Sequence, residues 1–421
     1  MKVLIADRFE PKGLDALRAL GLDVIFQPEL KEASLAEALS STRADVLVVR
    51  STKVTDAILE AGDLSLIVRA GAGYDTIDVR SASRRGIYVS NCPGKNAVAV
   101  AELAFGLILS LDRRIPDNVA DLRAGVWNKK EYAKSRGLLG RTLGILGFGG
   151  IGQEVARRAQ AFGMNLAIWS EIGIAIGRDG LPVDLPQVIR LRPISADAAE
   201  PKVTVYDTPA DAAANCDILS VHLALNEKTR GLVNAAVFDR MKPGAYFVNT
   251  ARGEVVDYKA LEAAVKTKGL RVALDVYSKE PAMPEGAFVD ALIALPGVYG
   301  THHIGASTEQ AQQAIAAETV HVIETYLRTG RVPNVVNLSR KTPATHVLVI
   351  RHQDRPGVLA HVFDRLREAG INVEETENII FADAEAAVAR ISIIGEPPGD
   401  VVAAILSGNP HVMDVHVVAV T

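Results

Sequence analysis

Three short stretches in the second half of the chain carry side chains suited to gripping an acid and moving a proton. They are FVNTARGEVVD with Arg252, ALDVYSKEP with Glu280 and YGTHHIGAST with His303. A guanidinium can pair bidentately with a carboxylate. An imidazole can accept an alcohol proton as hydride leaves the same carbon. A carboxylate beside that imidazole holds it and favours its charged form. In this order the three describe oxidation of a 2-hydroxy acid by a hydride acceptor. Singly, each has an ordinary structural reading: a surface ion pair for Arg252, a solvated turn before Pro281 for Glu280, and simple packing for one of the adjacent His302 and His303.

A hydride acceptor is implied upstream, in GILGFGGIGQEVARRAQAFGMNLAIWSE, Gly144 to Glu171. Gly147, Gly149 and Gly152, with Gly150 and Ile151 between them, satisfy G-x-G-x-x-G between a predicted strand and a predicted helix. That pattern supplies a tight turn, close backbone approach to a pyrophosphate, and amides at a helix N-terminus. The helix after Gly152 places Val155, Ala159 and Phe162 on one stripe. NAD-selective sites usually end the next strand in Asp or Glu, which holds the ribose hydroxyls. Here Ser170 stands there, with Glu171 next and Arg178 the first arginine beyond. Ser170 alone would tolerate a 2′-phosphate, whereas Glu171 would repel it. NAD is the expected cofactor, with NADP left open.

These residues need elements to position them. Runs such as KVLIA, ADVLVV, LSLIVRAG, TLGILG, LAIWS, DILSVHL, AYFVNT and RVALDV alternate with helix-period segments to about residue 300. Unbroken apolar strands between helices predict an α/β fold with parallel sheets covered on both faces. Ligands bind such sheets beyond the carboxyl ends of the strands, where Arg252, Glu280 and His303 fall. Two segments interrupt the alternation. Residues 171–202, with Pro182, Pro186, Pro193 and Pro201, read as an irregular insertion, and residues 330–344 read as a linker. Beyond it the pattern spells βαββαβ, a ferredoxin-like unit.

The bulk composition is consistent with this. A chain of 421 residues calls for two or three domains. Lys and Arg number 46 against 50 Asp and Glu, a net charge of −4, which gives no electrostatic case for nucleic acid or an anionic membrane. Cys92 and Cys216 match no metal-ligand spacing and suit a reducing compartment. MKVLIADRF is too short an apolar run for a signal peptide, and Ala97 to Leu111 is broken by Glu102 and shorter than a bilayer span. A cytoplasmic protein is expected.

With these motifs the chain resembles the D-2-hydroxyacid dehydrogenases over residues 1 to about 330. The resemblance implies that Arg252, Glu280 and His303 act as their chemistry suggests, although His302 replaces the family's usual Pro. It implies two Rossmann- or flavodoxin-like domains: 1–98 with 294–330 for the substrate and 99–293 for NAD. Residues 331–344 would then be the linker and 345–421 the tail domain. Asp275 falls in a segment like the nicotinamide carboxamide site, with Thr250, Ala251 and Gly305 beside it. Thr208 and His222, Leu223 and Ala224, continuing to Leu225, are candidates for the adenine side. IVRAGAGYDTID and NCPGKNAVAVAE resemble the substrate loops, so Gly71, Ala72 and Gly73 would offer backbone donors and Asn96 a further contact. Gly71 and Gly73 could otherwise merely form a turn. Arg50, Ser51 and Arg69 are placed by the resemblance to hold a phosphate.

The tail resembles an ACT domain through RHQDRPGVLAHVFDRL. That implies an effector site for L-serine at His352, Asp354, Gly357 and Asn372, with Asp354 where serine binders usually carry Asn. A purely oligomerising unit is the plainer reading. A family member with such a tail is expected to oxidise D-3-phosphoglycerate, the first step toward serine, as a homodimer or homotetramer. The rivals are a glyoxylate or hydroxypyruvate reductase using NAD(P)H, and an NAD-sensing binding protein like the corepressors of the same fold.

Overall fold

The computed structural model describes residues 1–171, 201–281, 285–339 and 342–420. Most of the expected insertion, including Arg178, Pro182, Pro186 and Pro193, lies outside the described residues. The chain divides into two compact units, Met1–Asn337 and Leu338–Thr421. Among the described residues no helix is long and apolar enough to cross a membrane.

The first unit holds two parallel sheets. The smaller is built from β1 (Lys2–Ile5), β2 (Asp23–Phe26), β3 (Val46–Val49), β4 (Leu66–Arg69) and β5 (Tyr88–Asn91), in the order β2-β1-β3-β4-β5. Alternate residues of its strands feed two cores. Leu4, Leu47, Val49, Ile67 and Val89 pack on one face. Val3, Ile5, Val46, Val48, Leu66 and Val68 pack on the other, against Ile315, Val322 and Ile323 of the helix Glu309–Thr329. Burial on both faces explains why these strands read as unbroken apolar runs.

The larger sheet holds β6 (Thr142–Leu146), β7 (Asn165–Trp169), β8 (Val203–Val205), β9 (Ile218–Val221), β10 (Tyr246–Asn249), β11 (Arg271–Leu274) and β12 (Val298–Gly300). Its order, β12-β11-β10-β9-β6-β7-β8, is the Rossmann arrangement with one strand added. That added strand corrects the expected boundary at 293/294. Val298 pairs with Val272 of β11, so the domain of the larger sheet runs to residue 300. The helix Ala97–Arg113 packs its Ala101, Ala104, Phe105 and Ile108 into this larger domain. The expected linker is also corrected. Val335 bridges to Ser90, and the Asn337 side chain accepts from Val89 N and donates to Ile87 O at 2.9 and 2.8 Å. Residues up to Asn337 are therefore folded against β5.

The second unit has β13 (His346–Gln353), β14 (Val373–Ile380), β15 (Ala386–Ile393) and β16 (Val412–Ala419) in one antiparallel sheet, order β14-β15-β13-β16. Helices Val358–Glu368 and Gly399–Ser407 pack on one face, where Leu348, Ile350, Ala389 and Ile391 meet Val362, Leu366 and Ile405.

Candidate active site

The larger sheet reverses its strand order between β6 and β9, and the glycine turn sits at that reversal. Gly147 turns the chain with φ +96°, and the helix Gly150–Ala161 begins inside the motif. A Cβ on Gly147 would stand 2.6 Å from the His222 carbonyl oxygen, and one on Gly152 would overlap the Gly147 carbonyl oxygen. One on Gly149 would meet nothing within 4 Å. The first and third glycines therefore pack strand against helix. The second faces open space at a helix N-terminus that has no side-chain cap. Free amides around unfilled volume fit a pyrophosphate.

On the rim, half-buried Ser170 precedes Glu171, whose carboxylate pairs with Lys228 Nζ at 3.2 Å. Burial pushes the His222 imidazole down to about 3, so the ring is neutral. Its Nε2 meets Ser220 Oγ at 2.8 Å, while Nδ1 is buried without a partner among the described residues. Leu223 is buried, Ala224 is exposed and Ile151 is half-buried. Thr250 is buried, its hydroxyl without a partner among the described residues, next to buried Ala251.

Arg252, Glu280 and His303 lie just beyond β10, β11 and β12. Glu280 Oε2 meets His303 Nδ1 at 2.6 Å, and Glu280 Oε1 accepts the Tyr277 amide at 2.9 Å. Burial pushes the Glu280 carboxyl up, but the His303 hydrogen bond and charge, the Tyr277 amide and the Arg252 charge outweigh it. The net displacement is below the ordinary range. His303 Nε2 has no partner among the described residues. His303 has φ +52°, uncommon for a residue with a side chain. Buried Asp275 holds that conformation, accepting from Thr301 Oγ1 at 2.6 Å, Ile304 N at 2.9 Å and Gly305 N at 2.8 Å. Fully buried Asn249 accepts from Ala251 N and donates to the Arg252 carbonyl, both at 2.9 Å. Arg252 itself meets Asp75 at 3.0 Å.

Across the cleft, the smaller sheet reverses between β1 and β3, and Asp7 and Arg50 flank that point. The Asp7 carboxylate accepts from the amides of Arg50, Ser51 and Thr52 at 2.6, 3.1 and 3.1 Å. Burial pulls the Arg50 guanidinium below its ordinary value despite Asp7 and Glu10. Arg69 is lowered to about 10, by burial first and then by the charge of Arg252, and its Nε is buried without a partner among the described residues. Asn91 Nδ2 donates to the Ala72 carbonyl at 2.6 Å, and Cys92 N to the Gly71 carbonyl at 2.9 Å. With those carbonyls held inward, the amides of Ala72 and Gly73 meet no acceptor among the described residues. Asn96 Oδ1 is likewise buried and unpartnered.

A family profile described as "D-isomer specific 2-hydroxyacid dehydrogenase, NAD binding domain" matches residues 105–305. D-3-phosphoglycerate dehydrogenase of Methanocaldococcus jannaschii is 34% identical over 397 residues, which is 94% of this chain and 67% of that protein. Hydroxypyruvate reductase of Thermotoga maritima is 43% identical over 282 residues, 66% of this chain and 83% of that protein. The chain belongs to the D-isomer specific 2-hydroxyacid dehydrogenases. Other D-3-phosphoglycerate dehydrogenases, from Archaeoglobus fulgidus and human, match with 60% of their length spanned. A glyoxylate reductase from Paecilomyes thermophila shares the fold at TM-score 0.66 and 29% identity, covering 80% of this chain and 98% of that one.

This dehydrogenase is an oxidoreductase with an NAD-binding domain. Several of its side chains are committed differently from expectation. The Ser51 hydroxyl donates to Asp7 Oδ1 at 3.0 Å, so it is not free for a phosphate. Thr208 caps the helix Pro209–Ala214, accepting from Asp211 N at 3.1 Å and donating to Asp211 Oδ2 at 2.7 Å. Asp275 spends both carboxylate oxygens on the His303 loop. Phe162 caps the C-terminus of its helix and stacks on Phe105 instead of joining the buried stripe. In the second unit, His352 is buried, with Nδ1 at 2.8 Å from Gln353 O and Nε2 at 3.1 Å from Asn378 Oδ1. Its ring is occupied within the unit. Asp354 is half-buried, Gly357 (φ +90°) caps the first helix, and exposed Asn372 donates to Glu374. Asp7, Asp75, Asn91 and Asn249 were not singled out in the sequence. Their one signal was position: Asn91 and Asn249 each end a strand.

Proposed function

We propose that this dehydrogenase oxidises D-3-phosphoglycerate to 3-phosphohydroxypyruvate. The observation that carries it is the set of three guanidiniums, Arg50, Arg69 and Arg252, around one cleft, two of them without carboxylate hydrogen bonds among the described residues. One cation suffices for a simple hydroxy acid; a phosphorylated one needs more. The jannaschii relative, alike over 94% of this chain, points the same way. Arg252 and the Ala72 and Gly73 amides bind the carboxylate, while Arg50 and Arg69 take the phosphate. His303 Nε2 accepts the hydroxyl proton, and Glu280 stabilises the imidazolium that results. NAD, held by the glycine turn, supplies the hydride acceptor for that carbon.

A second reading, reduction of hydroxypyruvate or glyoxylate, is favoured by the Thermotoga relative. Steady-state kinetics with phosphoglycerate, glyoxylate and hydroxypyruvate, each with both nicotinamide cofactors, decide between them. Higher kcat/KM for glyoxylate or hydroxypyruvate than for phosphoglycerate would reject the first reading. The tail's βαββαβ topology supports an ACT-like regulatory unit. Titration calorimetry of the full chain with L-serine tests that, and no heat of binding would leave an assembly role. Homo-oligomer formation is supported by exposed apolar side chains at Val119, Leu122, Val126 and Trp127. Light scattering checks it.

A further inference from the structure

Arg252 reaches the site with one edge of its guanidinium already taken. Asp75 comes from the opposite domain, 177 positions away in sequence. Its Oδ1 accepts from Arg252 Nε at 3.2 Å and Nη2 at 3.0 Å, and its Oδ2 from Nε at 3.2 Å. Nη1 donates to the Ala251 carbonyl at 2.8 Å. A guanidinium presents two forks to carboxylates, the Nε–Nη2 edge and the Nη1–Nη2 edge. Asp75 fills the first. Gly73 makes this approach possible, since a Cβ there would overlap the Arg252 guanidinium and stand 3.0 Å from Asp75 Oδ1.

The charges around the pair call for such a carboxylate. Arg69 lies close enough to both Arg252 and Arg50 that each opposes its charge. Burial pushes the Asp75 carboxyl up, but the hydrogen bond and charge of Arg252, with Arg69 adding to them, hold it below its ordinary range. Arg252 and Arg69 therefore favour the ionised form of Asp75.

We propose that Asp75 is a positioning residue, locking the Nε–Nη2 edge of Arg252 so that the Nη1–Nη2 edge is the one offered to the substrate carboxylate. This rests on the reading of Arg252 as the carboxylate clamp. The test is a double-mutant cycle in the full-length protein, following kcat/KM for the hydroxy acid and, by fluorescence, the Kd for NAD. Asp75→Ala should lower kcat/KM on the order of 10²-fold, the cost of a clamp displaced by an ångström. The NAD Kd should stay within about twofold. Asp75→Asn preserves the shape and guards against misfolding, so it should keep the wild-type Tm and still lose activity. In an Arg252→Ala background, Asp75→Ala should cost no more than about twofold, because its route is already removed. Full additivity of the two changes, or an Asp75→Ala enzyme with wild-type kcat/KM, overturns the proposal while leaving the clamp in place. An Arg252→Ala enzyme with full activity overturns the clamp itself, and this inference with it.

Discussion

On the nucleotide side of the cleft the binding surface is backbone: Gly147, Gly149 and Gly152 turn a strand into a helix and leave amides facing open space. On the substrate side it is long cationic side chains, with residues from elsewhere holding the loops around them and, for Arg252, the guanidinium itself. Asp7 gathers the amides after β3, Asn91 sets the Gly71–Gly73 loop, and Asp75 grips Arg252 from the other domain. A backbone site is written in a few adjacent residues. A side-chain site depends on pairs that meet only after folding, so it can change substrate without disturbing the fold.

The largest effect should fall where the two sides meet. His303→Ala removes the proton acceptor, and kcat should drop about 10²- to 10⁴-fold with NAD affinity retained. A variant that kept its kcat would detach the chemistry from the strand-end cluster altogether. The glycines can be set against each other next. Gly152→Ala forces a Cβ into the Gly147 carbonyl and should cost about 1–3 kcal/mol of stability, seen as a lowered Tm. Gly149→Ala meets nothing in the fold, so its Tm should hold while the NAD Kd rises. Equal Tm losses in both would mean that the second glycine serves packing too.

What was legible in the sequence follows the same divide. The strand–turn–helix around Gly147 and the order Arg252, Glu280, His303 were readable because strands and glycines announce themselves locally. The tail's βαββαβ succession was readable from its segments. Asp75 was not, because nothing near it signals a partner 177 positions away. Nor was the sheet to which β12 belongs, since the membership of three residues is set by their pairing with β11. Ser51 and Thr208 misled for a related reason. A hydroxyl at a turn suits a ligand and a local cap equally well, and the nearby Asp7 and Asp211 claimed them.

Arg50→Ala sharpens the comparison on the substrate side. Losing one charge-assisted contact should raise the KM for phosphoglycerate roughly 10- to 100-fold. An unphosphorylated 2-hydroxy acid should be little affected, and matched increases would show that Arg50 only supports its loop. Glu280→Gln tests the proton path through pH. The Glu280 carboxyl sits below its ordinary value, so its charge, and the stability it contributes, is present above that value and is lost only as pH falls through the depressed one. At working pH it therefore favours the imidazolium. Removing the charge should move the acid limb of the oxidation profile to lower pH. An unmoved limb would mean that another group sets it.

The smallest expected effect lies at the rim of the cradle, where the backbone site borrows a side chain. Glu171 stands one place beyond the usual acidic position, and Lys228 neutralises it at 3.2 Å. The Lys228 side chain is 79% exposed, so the pair is weak and screened by salt. Lys228→Ala should free the Glu171 charge to repel a 2′-phosphate and also remove a cation that could receive one. Both changes disfavour NADP. The ratio of kcat/KM for NAD over NADP should rise a few-fold, about 1 kcal/mol at most, and the rise should shrink at high salt. A ratio that fell would place the 2′-hydroxyl away from Glu171, and selectivity at this rim would then have to come from Ser170.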